Sequence, residues 1–251
     1  MSETISFERG SCAVCGSTPT VKSHIIPRAL AHDLRGDGKH LVSGEIDRPG
    51  IRYLQSGRWD GYILCGVHEG RLTRYDDYGV EFIRNFRNLP SVFKRGDHFA
   101  LTNSSPADLQ RFLLAVIWRK NLSNQARGQP CGLGPYAQAI SNTLFAGEEI
   151  ESPALIFQSV IAIDGERTPI ATEPYKVKLA GFNAWYCGFG WLDAVVKLDK
   201  RNWPPEWQPY DATKNNVARV VGMNPRNIQD IPSLSPILKQ MKSQQRSRKL
   251  G

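Results

Sequence analysis

The stretch CAVCGSTPTVKSHIIPRAL, from Cys12 to Leu30, decides the fold of the first part of this chain. It opens with Cys12 and Cys15, and a Cys-x-x-Cys turn places both sulfur atoms on one side of the backbone, where they can bind one Zn²⁺. A second pair with the same spacing, Cys65 and His68, stands in LCGVHEG. The two pairs predict a Cys₃His structural zinc site, although 49 residues separate them.

Two predicted strands explain how such distant pairs can meet. The segments VKSHII and GYILC contain branched and aromatic side chains typical of strands. Between them, from GDGKHLVSGEIDRPG to SGRW, the chain is mostly turn-forming, with one alternating run at IRYLQ. We therefore expect a long excursion between two paired strands, which brings the two ligand pairs together. The alternative is that the four residues are unrelated.

Helices are predicted after the second strand. EGRLTRYDDYGVEFIRNF has apolar residues at steps of three and four, although Gly79 interrupts the pattern. A further helix is predicted to begin at Pro106 with Ser105 as its N-cap and to end at Gly128. GPYAQAISNTLFAG predicts another helix. The apolar positions of the first two helices are Leu72, Tyr75, Tyr78, Phe82 and Phe86, then Leu109, Phe112, Leu113, Val116 and Ile117.

The amino-acid composition changes at Ala154, after which branched and aromatic residues favour strands. The predicted fold class is α+β: a zinc-bound N-terminal module, followed by helices and a mostly antiparallel β segment. We place the module at residues 1–100 and the helical and β region at 101–251. The latter ends in a basic tail that contains Lys239, Lys242, Arg246, Arg248 and Lys249.

The charge of the chain indicates a polyanionic partner. Its formal net charge is +8 and its pI is near 9.3, which favours nucleic acid first and acidic membranes second. The N-terminus lacks the apolar run of a signal peptide, and no segment is apolar over the length of a membrane span. The five cysteines, an odd number, favour a reducing compartment, so we expect a cytoplasmic protein.

The pattern CxxCG, then SHIIP, then LCxxHE over about residues 10–90 resembles the HNH, or ββα-metal, nuclease superfamily. The usual form of that pattern reads Cys-x-x-Cys, then Asp-His-Ile-x-Pro, then a central Asn, then Leu-Cys-x-x-Cys-His. The resemblance implies a β-hairpin with a large loop, followed by a helix, that together hold one catalytic divalent ion. It also implies that His24 is the general base that takes a proton from water during attack on a phosphodiester.

The resemblance assigns further residues, with some departures from the usual pattern. Ser23 stands where an acidic metal ligand is common, and Asp60 lies near the central Asn, which ties the loop together. His68 falls on the last cysteine and Glu69 on the final histidine. Glu69 offers hard oxygen atoms to Mg²⁺ or Mn²⁺, and Asp76, two helical turns on, can join it. The alternative for Asp76 is a solvated acid on the helix surface. His68 could serve either the zinc site or the catalytic ion, and its spacing from the third cysteine favours zinc.

The sequence therefore predicts a metal-dependent endonuclease with structural Zn²⁺ and catalytic Mg²⁺ or Mn²⁺, with DNA favoured over RNA as its substrate. The predicted catalytic residues are His24, Glu69 and Asp60. A role in restriction or anti-phage defence follows from the resemblance alone, and a homodimer or a protein partner is compatible with it. Two alternatives stay open: a non-catalytic zinc-stapled nucleic-acid-binding protein, and an interaction protein in which zinc only staples the fold.

Overall fold

The computed structural model describes most of the chain. The described residues are 8–36, 40–45, 48–87, 95–126, 132–159, 161–163, 166–223 and 226–227. The predicted helix end at Gly128 and the basic tail therefore lie outside the described residues. None of the helices within these ranges combines the length and the apolar character that crossing a lipid bilayer requires.

The first part of the chain forms two strand pairs and two helices. β1 pairs with β4 in the antiparallel sense, with Thr20 opposite Cys65 and Ser23 opposite Asp60. This confirms the predicted strands VKSHII and GYILC and the pairing between them. The elements in chain order are β1 (Thr20–His24), α1 (Arg28–Arg35), β2 (Leu41–Glu45), β3 (Arg48–Leu54), β4 (Trp59–Cys65) and α2 (Gly66–Arg87).

The excursion between β1 and β4 is more regular than expected. It contains α1 and the antiparallel hairpin of β2 and β3, and only β3 overlaps the alternating run IRYLQ. The prediction of a mostly turn-forming segment is therefore wrong here. Glycine and proline lower the strand propensity of each segment taken alone, but pairing across the hairpin supplies stability that a single-strand pattern does not display.

The second part of the chain contains two helices and most of the strands. Its elements are β5 (His98–Leu101), α3 (Pro106–Ala126), α4 (Tyr136–Phe145), β6 (Ala154–Gln158), β7 (Ile161–Ile163), β8 (Glu166–Arg167), β9 (Ile170–Leu179), β10 (Phe182–Gly190), β11 (Leu192–Lys197), a 3-10 helix (Pro205–Tyr210), β12 (Ala218–Val221) and β13 (Arg226–Asn227).

These strands build a six-stranded sheet in the order β5-β12-β6-β11-β10-β9. The β12–β6 pair is parallel and the other neighbouring pairs are antiparallel. A small three-stranded sheet has the order β13-β7-β8. The chain thus has a mixed α+β fold, and its C-terminal β segment is mostly antiparallel, as predicted.

α3 begins at Pro106, as predicted, whereas α2 begins three residues before the predicted segment, which starts at Glu69. At the beginning of α3 the Ser105 hydroxyl accepts a hydrogen bond from the backbone N–H of Asp108 at 3.4 Å and donates one to its carboxylate at 2.8 Å. This arrangement satisfies one of the free N–H groups of the first helical turn. α2 begins at Gly66, directly after β4, and buries Leu72, Tyr75 and Phe82 on one face.

α3 lies at the centre of the molecule. Its predicted apolar residues are buried, and so are further residues on its other faces, so it is not amphipathic in the way a surface helix is. One core cluster contains side chains of β4, α2, α3, α4 and the six-stranded sheet. The division at residue 100 stays a prediction, and the side chains on both sides of it pack in that one core.

The close crossing of α2 and α3 depends on a glycine, Gly79, which has no side chain at the point of contact. A Cβ atom at Gly79 would lie 2.4 Å from the ring of Phe112, which is itself buried and packs against Phe189 with ring centroids 5.1 Å apart. Gly79 therefore does not weaken the prediction of α2. It permits the close approach of the two helices, which offsets its poor helix propensity.

Two glycine substitutions in α2 test this packing. Gly79→Ala should lower the free energy of unfolding by about 1–2 kcal/mol, because the overlap with Phe112 exceeds the gain in helix propensity. Gly70→Ala is the matched control: it is exposed, a Cβ there meets no atom within 4 Å, and the substitution should raise stability by about 0.5–1 kcal/mol. Urea unfolding monitored by circular dichroism measures both, and stabilisation by Gly79→Ala would contradict the packing.

Candidate metal centre and the histidine beside it

A tight turn presents the first two cysteines. The backbone N–H of Gly16 donates to the carbonyl oxygen of Cys12 at 2.8 Å, and the N–H of Cys12 donates to that of Ser17 at 2.9 Å. Gly16 has a φ of +71°, a left-handed conformation that glycine adopts without strain. The turn closes just before β1 and leaves Cys12 buried and Cys15 exposed.

The strand pair brings the second ligand pair to this turn. Cys65 is the last residue of β4 and lies opposite Thr20, and His68 is in the first turn of α2. The Sγ atoms of Cys15 and Cys65 are 3.9 Å apart, and His68 Nδ1 lies 3.3 Å from Cys65 Sγ. His68 Nδ1 also lies 3.5 Å from Cys12 Sγ. The four ligand atoms are all within 4.8 Å of one another.

This cluster could hold a metal ion, and its donor chemistry fits zinc. A tetrahedral zinc ion with bonds of about 2.0–2.3 Å requires ligand atoms about 3.5–3.8 Å apart, close to the separations observed here. The hydrogen bond to the Ser17 side chain, 3.2 Å long, lowers the pKa of Cys15 to about 7, which favours the thiolate that binds metal. Burial lowers the pKa of His68 and keeps its imidazole neutral, the form that binds metal.

His24 lies at the end of β1, outside this cluster. Its ring is half-buried, and Nε2 lies 3.4 Å from the Ser56 hydroxyl. Burial is the main cause that lowers its pKa, and the nearby charges of Arg119 and Arg28 lower it further. Asp76 raises it by less than either arginine lowers it, and Lys22 adds the smallest lowering effect. His24 is therefore neutral at pH 7, with the Ser56 hydroxyl beside its Nε2 atom.

Glu69, one residue after His68, points into the molecule toward β1. Its Oε2 accepts a hydrogen bond of 2.5 Å from the hydroxyl of Ser23, and its Oε1 lies 3.5 Å from Arg119. Burial raises the pKa of Glu69, while Arg119 opposes that shift. Ser23, at the position where the family pattern often has an acid, thus serves as a hydrogen-bond donor to Glu69.

Arg119 of α3 joins the two predicted acids. Its guanidinium donates to both oxygen atoms of Asp76, at 2.8 and 2.5 Å, while its side chain is fully buried. Glu69 and Asp76 therefore do lie on one face of α2, as their spacing predicts. Asp76 is not a solvated surface acid, since its side chain is 18% exposed and both of its oxygen atoms bind Arg119.

The sequence analysis missed Arg119, although one signal was present. In FLLAVIWRKNL this arginine follows Phe112 by seven residues and Val116 by three, so it falls on the apolar stripe of the helix. A charged residue on a buried stripe needs a partner of opposite charge, and Asp76 and Glu69 are those partners.

Asp60 has contacts that tie elements together. It is 4% exposed, accepts a hydrogen bond from Ser123 of α3 at 2.9 Å, and accepts another from the backbone N–H of Tyr62 at 3.0 Å. These bonds attach β4 to α3 next to the point where the β1–β4 pairing shifts register, between Val21 and Ser23. The predicted catalytic role of Asp60 stays a prediction.

Comparison of the chain with protein-family models, with curated proteins and with solved structures gave no match.

Removal of one sulfur tests the metal centre. The protein should carry about one zinc ion per chain, and Cys65→Ser should lose it and unfold the N-terminal segment, because metal binding and folding are coupled in small sites. Mass spectrometry of the metal content and circular dichroism measure both effects. Cys187→Ala is the control: this buried cysteine is outside the cluster, so the variant should keep its zinc. Full zinc occupancy in Cys65→Ser would contradict the assignment.

Arg119 can be tested through stability. Arg119→Met leaves two acids in a buried site without their cation and should lower the free energy of unfolding by about 3–5 kcal/mol. The double variant Arg119→Met/Asp76→Leu should recover part of that loss, since it also removes the acid that makes the two shortest hydrogen bonds to Arg119. Arg111→Met is the control on the same helix, where the arginine bonds to the Ala107 carbonyl, and a change within about 0.5 kcal/mol is expected. Equal stability of all three variants in urea would refute the buried network.

Proposed function

We propose that this protein is a metal-dependent endonuclease that hydrolyses phosphodiester bonds in nucleic acid. The observation that carries the proposal is the imidazole of His24, which is neutral at pH 7 and half-buried at the end of β1, with Arg119, Arg28 and Asp76 close enough to shift its pKa. A neutral histidine held among charged groups can take a proton from water and act as a general base.

The arrangement around His24 supports a ββα-metal module in the N-terminal part. β1 and β4 form the strand pair, the segment between them is the large loop, and α2 is the helix that follows. The Cys₃His cluster at the junction of β4 and α2 would hold structural zinc and staple the strands to the helix. Zinc would then orient α2, and with it Glu69, relative to His24.

The contacts favour Glu69 over Asp76 as the ligand of a catalytic divalent ion. Glu69 offers hard oxygen atoms, its side chain is 21% exposed, and its contact with Arg119 is long at 3.5 Å. Magnesium is commonly bound by one or two carboxylates together with substrate phosphates, so one acid can suffice. Both oxygen atoms of Asp76 are committed to Arg119. A bound Mg²⁺ or Mn²⁺ would supply positive charge to the phosphate during the reaction.

In the proposed reaction His24 takes the proton from a water molecule, whose oxygen attacks the phosphorus atom. The bond to the leaving sugar oxygen breaks, and that oxygen takes a proton from solvent water. Ser56 lies beside Nε2 and orients the imidazole. Ser23 fixes the direction of the Glu69 carboxylate through its hydroxyl. Asp76 and Arg119 act as positioning residues, because their ion pair holds α2 against α3.

One observation favours a second candidate, a non-catalytic zinc-stapled protein that binds nucleic acid. Arg119 already supplies a fixed positive charge between the two acids of α2, and such a charge can replace a metal ion in a structural role. In that case His24 would contact a phosphate rather than activate water. Cleavage itself separates the two candidates.

Other parts of the proposal rest on the sequence. The net charge of +8 supports a nucleic-acid substrate, for which we favour DNA. A cytoplasmic location, a homodimer or a protein partner, and a role in restriction or anti-phage defence are proposed on the same basis.

The test is cleavage by a pair of histidine variants. The protein should cut plasmid DNA in the presence of Mn²⁺ or Mg²⁺, and His24→Ala should lower the rate at least about a hundredfold, as expected for loss of a general base. His98→Ala is the control: His98 is an exposed residue of β5 that packs against Tyr210, and its replacement should leave the rate unchanged. Cleavage by both variants at the wild-type rate, or by no protein at all, would overturn the assignment of His24.

The pH dependence of the same reaction distinguishes a proton acceptor from a structural residue. The base must be neutral, so the rate should rise as pH passes upward through the pKa of His24 in the folded protein. Burial lowers that pKa from its ordinary 6.5, so the rate should level off at a lower pH than an unperturbed histidine would give. Zinc content measured at each pH controls for loss of the structural metal.

A further inference from the structure

Strands β1 and β4 and the start of α2 expose several apolar side chains. Among the described residues, seven large apolar side chains are exposed, and four of them belong to these strands or the start of α2. Two of the four are aromatic: Trp59 is 41% exposed and Tyr62 is 48% exposed. The other two are Val21 and Val67.

Each of these two aromatic rings carries a cation. The Nζ atom of Lys22 lies 4.6 Å from the centroid of the Trp59 ring, and the guanidinium of Arg9 lies 4.5 Å from that of Tyr62. Both cationic side chains are exposed and have long, flexible stems. We call Arg9, Lys22, Trp59 and Tyr62 the aromatic–cationic face.

The aromatic–cationic face adjoins the proposed general base. Trp59 is the residue directly opposite His24 in the β1–β4 pairing, and opposite residues in an antiparallel pair point to the same side of the sheet. Lys22 belongs to the same surface, because its Nζ atom lies over the Trp59 ring. A ligand that rests on Trp59 therefore has part of its length beside His24.

The charge of the aromatic–cationic face suits a polyanion. The strands β1 and β4 contain one carboxylate, Asp60, and it is buried and hydrogen-bonded. Arg28, at the start of α1, is exposed and close enough to His24 to lower its pKa. An anionic chain with flat apolar groups would match both the rings and the cations.

We propose that the aromatic–cationic face binds single-stranded nucleic acid, with unpaired bases stacked on Trp59 and Tyr62 and with Lys22 and Arg9 on the phosphates. Every base has a π-face that can stack on an aromatic ring, but in a duplex those faces are covered by neighbouring base pairs. The cations that cover the rings in the free protein can move to phosphates when a base takes their place. The claim that the bound strand is the substrate of the endonuclease rests on the proposed function. The claim that the face binds single-stranded nucleic acid does not.

The experiment measures binding in the His24→Ala background, so that the probe is not cut. Fluorescence anisotropy compares a labelled oligothymidine, an oligouridine of equal length and a DNA duplex of that length. Trp59→Ala and Tyr62→Ala should each weaken binding of at least one of the two single strands about fivefold or more, and binding of the duplex less than about twofold. Lys22→Met should reduce the dependence of log Kd on log salt by about 0.7, the value for one phosphate contact of a single strand.

Tyr175→Ala is the matched control. Tyr175 lies on β9 and is 45% exposed, much like Tyr62, but it is outside the aromatic–cationic face. Its replacement should change no affinity. Zinc content and urea unfolding of each variant verify that the fold is retained.

Two results would overturn the inference: single-strand affinities of Trp59→Ala and Tyr62→Ala that equal that of Tyr175→Ala, or equal losses for single strands and duplex. The outcome is separable from that of the proposed function. If the wild-type protein cuts DNA and either of these results is found, the proposed endonuclease function stands and the inference about the aromatic–cationic face is wrong. If single strands bind through both rings and no protein cuts DNA, the inference about the face stands and the proposed endonuclease function is wrong.

Discussion

The antiparallel pairing of β1 with β4 is the constraint on which the rest of the structure depends. It places Cys65 opposite Thr20, and therefore next to the turn that holds Cys12 and Cys15. Because α2 begins directly after β4, His68 reaches the same point from the first helical turn. A metal ion at this junction would link a loop, a strand and a helix, which a small strand pair alone could not hold in place.

A second constraint is electrostatic and lies deeper in the molecule. The fully buried guanidinium of Arg119 binds Asp76 with two hydrogen bonds and also contacts Glu69. Such a network is costly to assemble from water, and its stability depends on all partners being present. It connects α3, at the centre of the core, to the helix that carries Glu69. The packing of Gly79 against Phe112 brings the same two helices close together.

The surroundings of His24 combine these two constraints. The strand pair sets its backbone position, while burial and the cations of neighbouring elements keep its imidazole neutral. The side of the sheet that carries His24 also carries Lys22 and the exposed ring of Trp59. A neutral imidazole beside cations and an exposed aromatic ring is a combination suited to the phosphate and the base of a nucleotide.

The sequence by itself determined the candidate metal ligands, the strands that join them, and the helices α2, α3 and α4. These features follow from local patterns: two x-x spacings of zinc-ligand residues, branched residues in short runs, and apolar residues at steps of three and four. The α+β class and the mostly antiparallel sheet followed from the same patterns. The nuclease assignment, with its general base and catalytic ion, came from a resemblance and stays a proposal.

Only the tertiary structure decided what the acids of α2 bind. The partner of Asp76 and Glu69 is Arg119, which is more than forty residues away along the chain from either of them. Residue spacing along a helix predicts only contacts between near neighbours in the sequence, so it does not predict this one. The β2–β3 hairpin was hidden for a related reason, because pairing between segments overrides the weak strand propensity of each. Local patterns record what a residue can do, whereas burial and the charge of distant neighbours decide which of those possibilities is realised.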